Sequence, residues 1–140
     1  MDDSLQRIEI ERLAWAGPVT LLASVLAVLA VRVVAVLLVE PAPQFAPLGW
    51  VAPTLDTTIL VSLGILVFGA ISSTATNPIR TFRRVAFGVL ILSLFPALAT
   101  VNSRQWGGNW PNAIALMLMH IAAWAVCVTM LPRLTLTHEQ

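Results

Sequence analysis

The sequence predicts an all-α integral membrane protein, built as a bundle of four membrane-spanning helices with both termini in the cytoplasm. Of the 140 residues, 58% are hydrophobic and only 11% are charged, with a mean hydropathy of +0.85. A soluble domain carries about 25% charged residues. Strand-like alternation is absent, and backbone groups in lipid must be hydrogen-bonded within their own segment. Helices therefore account best for the apolar segments.

Four segments approach the roughly 20 apolar residues that a helix needs to cross the hydrocarbon core. The predicted spans are residues 18–39, 57–73, 82–101 and 112–131. Each is bounded by residues that favour breaks: "GP" before the first, "EPAPQFAP" after it, "TNPIR" between the second and third, and "GGNWPN" before the fourth. Pro132 is expected to end the last helix, because proline cannot donate a backbone hydrogen bond.

Three segments lie outside the spans. Residues 1–16 form either a short amphipathic helix on the inner leaflet or a solvated lead-in that extends the first span. Residues 40–56 form a proline-rich outer loop that carries Phe45 and Trp50. This loop either covers a cavity or rests on lipid headgroups, and we expect the second. Residues 134–140 are expected to be a cytoplasmic tail.

The arginines predict the orientation, because basic residues concentrate in cytoplasmic loops. The chain has no lysine. Six arginines lie before the first span, between the second and third, or after the fourth, whereas the other two connections hold only Arg104. We therefore expect both termini and the middle loop in the cytoplasm, and a bacterial cytoplasmic (inner) membrane as the location. A net charge of +1 gives no indication of nucleic-acid binding.

Two ionisable residues lie within predicted spans. Counted from Pro18, Arg32 is about 21 Å into the first span, or about 9 Å below the outer edge of a core about 30 Å thick. Counted from Ala113 in the opposite direction, His120 is about 10 Å below the same edge. Both residues are thus expected at one level in the outer half of the membrane. An ionisable residue inside a membrane is by default a candidate functional residue.

This shared level predicts an outward-facing polar pocket around Arg32 and His120. Asp56 is the expected counter-ion of Arg32, with Glu40 second, and Thr58 and Ser62 lie near the same level. The alternative is that Arg32 extends toward the outer headgroups and needs no partner.

His120 shares a helix face with Met117, Trp124 and Cys127. These side chains include possible ligands for haem or a soft metal. However, a second histidine within a span is lacking, so we predict no cofactor and no metal, and we expect His120 to be hydrogen-bonded inside the bundle.

Two further clusters have structural and functional interpretations. Arg80, Arg83 and Arg84 share a face at the start of the third span and either grip anionic lipid headgroups or only set the topology. Small side chains let helices pack closely in membranes. Ala23, Ala27 and Ala30 therefore form a candidate face for a second copy or a membrane partner.

The segments "NPIRTFRRVAFGVLILSLFPAL" and "ALMLMHIAAWAVCVTMLPRL" resemble a family of small four-helix bacterial membrane proteins, domain-of-unknown-function family 6069. The family's R-T-F-x-R-V run corresponds to residues 80–85 of this chain, and its L-S-L-x-P helix corresponds to residues 92–96. Its histidine in the last span corresponds to His120, and its arginine late in the first span corresponds to Arg32. The resemblance covers most of the chain from Arg12 to Leu134. It implies the four-helix bacterial fold and no particular activity.

Three classes of function remain open. The first, which we favour, is an accessory or interaction protein that packs through its helices. The second is a binding protein for a lipid, quinone or other amphiphile in the outer-half pocket. The third is an oligomeric subunit of a small transporter or channel. An enzyme is not expected, because the sequence contains no recognisable catalytic constellation.

Overall fold

The computed structural model describes residues 10–102 and 107–136 and contains four long helices in that part of the chain. They are α1 (Ile10–Val39), α2 (Val51–Thr74), α3 (Pro78–Ala99) and α4 (Trp110–Thr135). Short 3₁₀ turns follow α1 and α3, at Ala46–Leu48 and Thr100–Asn102. No strand occurs among the described residues. All four helices are long and apolar enough to cross a membrane, so the predicted four-helix, all-α architecture is confirmed.

The first helix begins earlier than the predicted span. α1 runs without interruption from Ile10 through Pro18, so the expected break at Gly17-Pro18 is wrong. Proline removes only its own donor, and helices in membranes tolerate it. Residues 10–16 therefore continue the first helix, whereas residues 1–9, on which the amphipathic alternative depends, lie outside the described residues. Residues 137–140 of the predicted tail and Arg104 lie outside them too.

The other helices also extend beyond their apolar cores. α2 begins six residues before predicted span two, and Pro53 fits there because the first turn of a helix has no internal partners for its N–H groups. α3 begins with Pro78, the position that proline favours. α4 continues through Pro132 to Thr135, so the expectation that Pro132 ends this helix is wrong.

The bundle is held together chiefly by α1 and α4. α1 makes its largest interface with α4 and a smaller one with α2, and α3 also packs on α4. The α1 residues that this packing buries are small, including Ala16, Thr20 and Ser24. Gly17 contributes to the contact with α2, since a Cβ added there would lie 3.2 Å from Cγ2 of Ile65. Small side chains let the helix backbones approach closely, as is typical in membranes.

The outer loop folds back onto the end of the bundle. Phe45 and Leu48 are 3% and 2% exposed and pack with Val28 of α1 and Met119 of α4. The loop thus contributes to the core instead of only resting on headgroups, which was the alternative that we expected. Trp50, by contrast, is 58% exposed.

α2 packs less extensively on α3 and on α4 than it does on α1. Its interfaces with α3 and α4 are much smaller than that between α1 and α4. At one level the seam is closed by aromatic packing, where the rings of Phe68 and Phe82 meet edge to face with centroids 4.9 Å apart. Toward the end of the bundle that carries residues 46–48, α2 and α3 leave space between them. A cavity therefore opens between them, with α4 as its back wall.

Candidate functional site

The candidate site is the cavity between α2, α3 and α4. Its volume is about 570 Å³, which is within the usual range of about 300–1,000 Å³ for small-molecule sites. Most of its wall is aliphatic, with Leu60 and Val67 from α2, Val85 and Val89 from α3, and Leu116 from α4. An apolar cavity of this size suits the hydrocarbon part of a ligand.

Polar groups are few and lie mainly toward one end of this cavity. His120 of α4 and Asp56 of α2 both line it. Thr57, next to Asp56, is buried in the same wall. A histidine and a carboxylate at the mouth of an apolar cavity can donate to and accept from the polar end of a ligand.

Trp124 lies one helical turn below His120 and forms part of the same wall. Its indole N–H is buried and has no acceptor among the residues that the structure describes. A buried donor without a partner costs about 1–3 kcal/mol. An acceptor on a bound molecule would remove that cost.

Arg32 does not line the cavity but holds the outer loop. Its Nε donates to the carbonyl oxygens of Leu48 at 3.0 Å and of Gly49 at 3.2 Å. Its guanidinium carbon lies 3.6 Å from the centroid of the Trp50 ring, a cation–π arrangement. No ion pair joins Arg32 to Asp56 or Glu40 in the described part of the chain. The loop carbonyls, not the predicted carboxylates, are the partners of this charge.

The arginine and the cavity are nevertheless connected through the loop. Ala46 and Pro47, which directly precede the carbonyls that Arg32 binds, line the cavity near Asp56. Arg32 therefore acts on the shape of the cavity mouth indirectly. The side-chain pattern does not indicate this role, because the backbone carbonyls of a loop leave no signature in it.

The remaining predicted pocket residues lie outside the cavity wall. Thr58 donates its hydroxyl hydrogen to the carbonyl of Thr54 at 2.7 Å, a bond within its own helix. Ser62 is half-buried and does not line the cavity. Glu40 is exposed, with φ of +45° just after the end of α1. Sequence reasoning also missed Thr57, whose position in the wall depends on how far α2 is rotated.

The predicted arginine cluster and the predicted alanine face both lie away from this cavity. Arg80, Arg83 and Arg84 line a separate cavity at the opposite end of the bundle. Of the alanine face, Ala30 is exposed, whereas Ala23 and Ala27 are half-buried.

Metal-ligating groups do not cluster in the described residues. No three His, Cys, Asp or Glu side chains there lie close enough together to hold a metal ion. Cys127 does line the cavity, below Trp124, but it belongs to no such group among the described residues.

No protein-family model, no curated protein and no solved structure matches the chain. The resemblance to domain-of-unknown-function family 6069 therefore stays a prediction, and the site must be interpreted from its own geometry.

Proposed function

We propose that this protein binds an amphiphile, such as a lipid or a quinone, in the cavity between α2, α3 and α4. The observation that carries the proposal is an aliphatic cavity of about 570 Å³ that His120 of α4 and Asp56 of α2 both line. The hydrocarbon part of the ligand would lie along α2 and α3, and its polar end would meet the imidazole and the carboxylate. Arg32 would keep the outer loop in place at the mouth.

The composition of the wall supports a ligand with one small polar end. Burying a polar group without a partner is unfavourable, so a large polar molecule would find too few hydrogen-bonding groups here. Asp56 makes an anionic end group unfavourable beside it, because like charges repel. A neutral hydroxyl, a carbonyl or a cationic group is compatible with both side chains.

We also propose that the protein lies in a bacterial cytoplasmic membrane with both termini in the cytoplasm. Four helices of sufficient length and hydropathy support membrane insertion. The arginine distribution supports the orientation. In that orientation the His120 end of the cavity faces the outer leaflet, and the ligand would enter from lipid between α2 and α3.

A second candidate function is association through the alanine face of α1. Its supporting observation is that Ala30 is exposed and that Ala23 and Ala27 are only half-buried, so a second helix has access to this stripe. This candidate corresponds to an interaction protein and predicts an oligomer without a specific ligand.

Native mass spectrometry of the protein released from a gentle detergent tests both candidates. Amphiphile binding predicts a specific non-phospholipid mass on the wild-type protein. That mass should be lost in His120→Leu and in Ser93→Phe, because Ser93 is a half-buried residue of the cavity wall and a phenyl ring there would occupy the cavity.

Thr58→Val is the matched control, since it removes a polar group near the same end of α2 from outside the cavity wall. It should retain the ligand. A ligand-free dimer, or identical lipids on the wild type and all three variants, would contradict the amphiphile proposal. The ligand-free dimer would favour the alanine face.

A further inference from the structure

A second cavity, of about 520 Å³, lies at the start of α3 and shares only Trp124 with the wall of the amphiphile cavity. Its polar wall consists of Asn77, Arg80, Arg83 and Arg84, and its apolar wall of Ile79, Phe87 and Trp124. We propose that this cavity binds a phosphate group, the chemistry that a phospholipid headgroup and a free phosphate ion share.

Helical spacing places the three arginine side chains on one face of α3, which lines the second cavity. Three residues follow Arg80 at helical spacing: Arg83, Arg84 and Phe87 lie three, four and seven positions after it. The four side chains therefore share one face of α3. All three arginines lie within about 9 Å of the start of the helix. Trp124 closes this surface from α4, with its ring edge to face with Phe87 at a centroid distance of 6.3 Å.

This arrangement of charges is unfavourable without an anion. Like charges three or four positions apart on a helix repel each other. Arg80 also lies in the first turn of α3, where the backbone dipole favours negative charge. The three arginines are exposed and make no ion pair with any residue that the structure describes. Glu11 is the one described acid at this end, and it does not line the cavity.

A phosphate group matches what the cavity offers. Guanidinium groups bind phosphate oxygens in a planar, two-bond geometry. The first N–H groups of α3 add donors that favour an anion. The side chain of Asn77 makes no capping hydrogen bond to its own helix, so its amide can donate to the ligand as well. A phosphate group with one or two negative charges among the three arginines would relieve this repulsion.

Binding of phosphatidic acid and of diacylglycerol with the same acyl chains tests the proposal, because the two lipids differ only by the phosphate. The full-length protein in a phospholipid-free detergent would be titrated with each lipid and followed by native mass spectrometry. We expect the wild type to retain phosphatidic acid in preference to diacylglycerol. Arg80→Gln, Arg83→Gln and Arg84→Gln should each weaken that preference about fivefold.

Arg133→Gln is the matched control. Arg133 is exposed in the last turn of α4, at the same end of the bundle, and it does not line the cavity. Its substitution should leave the preference unchanged. Competition with inorganic phosphate identifies the source of the group: displacement of the lipid means that free phosphate also binds, and its failure means that the lipid is the ligand.

Equal binding of the two lipids by the wild type would overturn the proposal. So would an equal loss in Arg133→Gln and in the three cavity variants, since that result means a diffuse attraction to positive charge. The wild-type comparison needs no variant to fold. His120→Leu should leave this preference unaltered, which separates the second site from the amphiphile cavity.

Discussion

Arg32 illustrates how a membrane protein can satisfy a charge without a counter-ion. An arginine at the centre of a membrane helix costs about 2.5–3.5 kcal/mol on insertion scales, and Arg32 lies nearer the end of its span, where the cost is lower. Here two loop carbonyls accept from its Nε, and the ring of Trp50 covers the guanidinium. Hydrogen bonds to charged groups contribute about 1.5–3 kcal/mol. The loop and the arginine therefore stabilise each other.

Replacing Arg32 by leucine should release the outer loop while leaving the helices intact. The backbone amides of Leu48 and Gly49, which bond to the carbonyls of Phe45 and Ala46, should exchange at least about tenfold faster with solvent deuterium. Hydrogen exchange followed by mass spectrometry measures this. Arg133→Leu is the control, since it removes an arginine from the opposite end of the bundle, and it should leave the loop unchanged. Unaltered exchange in Arg32→Leu would show that the loop is held by Phe45 and Leu48 alone.

The helices differ in how closely they approach their neighbours, and the space around two glycines shows this difference. Gly17 lies against Ile65 where α1 meets α2. Gly88 of α3, by contrast, has nothing within 4 Å of an added Cβ. The same residue type therefore has a packing role on α1 and none within the described bundle on α3.

A pair of glycine substitutions should separate these two roles. Gly88→Ala should raise the free energy of unfolding by about 0.5–1 kcal/mol, because alanine has less conformational entropy to lose in a helix. Gly17→Leu should lower it by about 1–3 kcal/mol, because a large side chain would force α1 and α2 apart. Equilibrium unfolding in mixed micelles measures both. Similar effects at the two positions would contradict the assigned packing.

On the scale of the whole molecule, hydropathy predicted the four helices, but it could not predict their rotation. Soluble helices reveal their buried face by a polar opposite face, whereas here exposed Leu22 and Leu26 are as apolar as buried Val28. The depth estimate therefore placed Arg32 and His120 at one level and could not show that they face different surroundings. The prolines of the loop gave no indication of the short 3₁₀ turn at residues 46–48. Thr57 could not be assigned to the cavity wall, because the rotation of α2 was not known.

Reporter fusions test the orientation of the whole chain. With both termini in the cytoplasm, a C-terminal green fluorescent protein should be fluorescent, and a C-terminal alkaline phosphatase should be inactive. A phosphatase inserted after Pro43, in the first outer loop, should be active. The opposite pattern would reverse the orientation, and the His120 end of the amphiphile cavity would then face the inner leaflet.

The position of Cys127 makes the cavity accessible to covalent chemistry. It is the chain's single cysteine, its sulfur lies 3.4 Å from a Cβ added at Gly64, and its side chain lines the amphiphile cavity. The chain also has no lysine to compete for electrophiles. A membrane-permeant maleimide that enters the cavity would therefore react at one known position in its wall, and the labelling rate would report how often that part of the cavity is vacant.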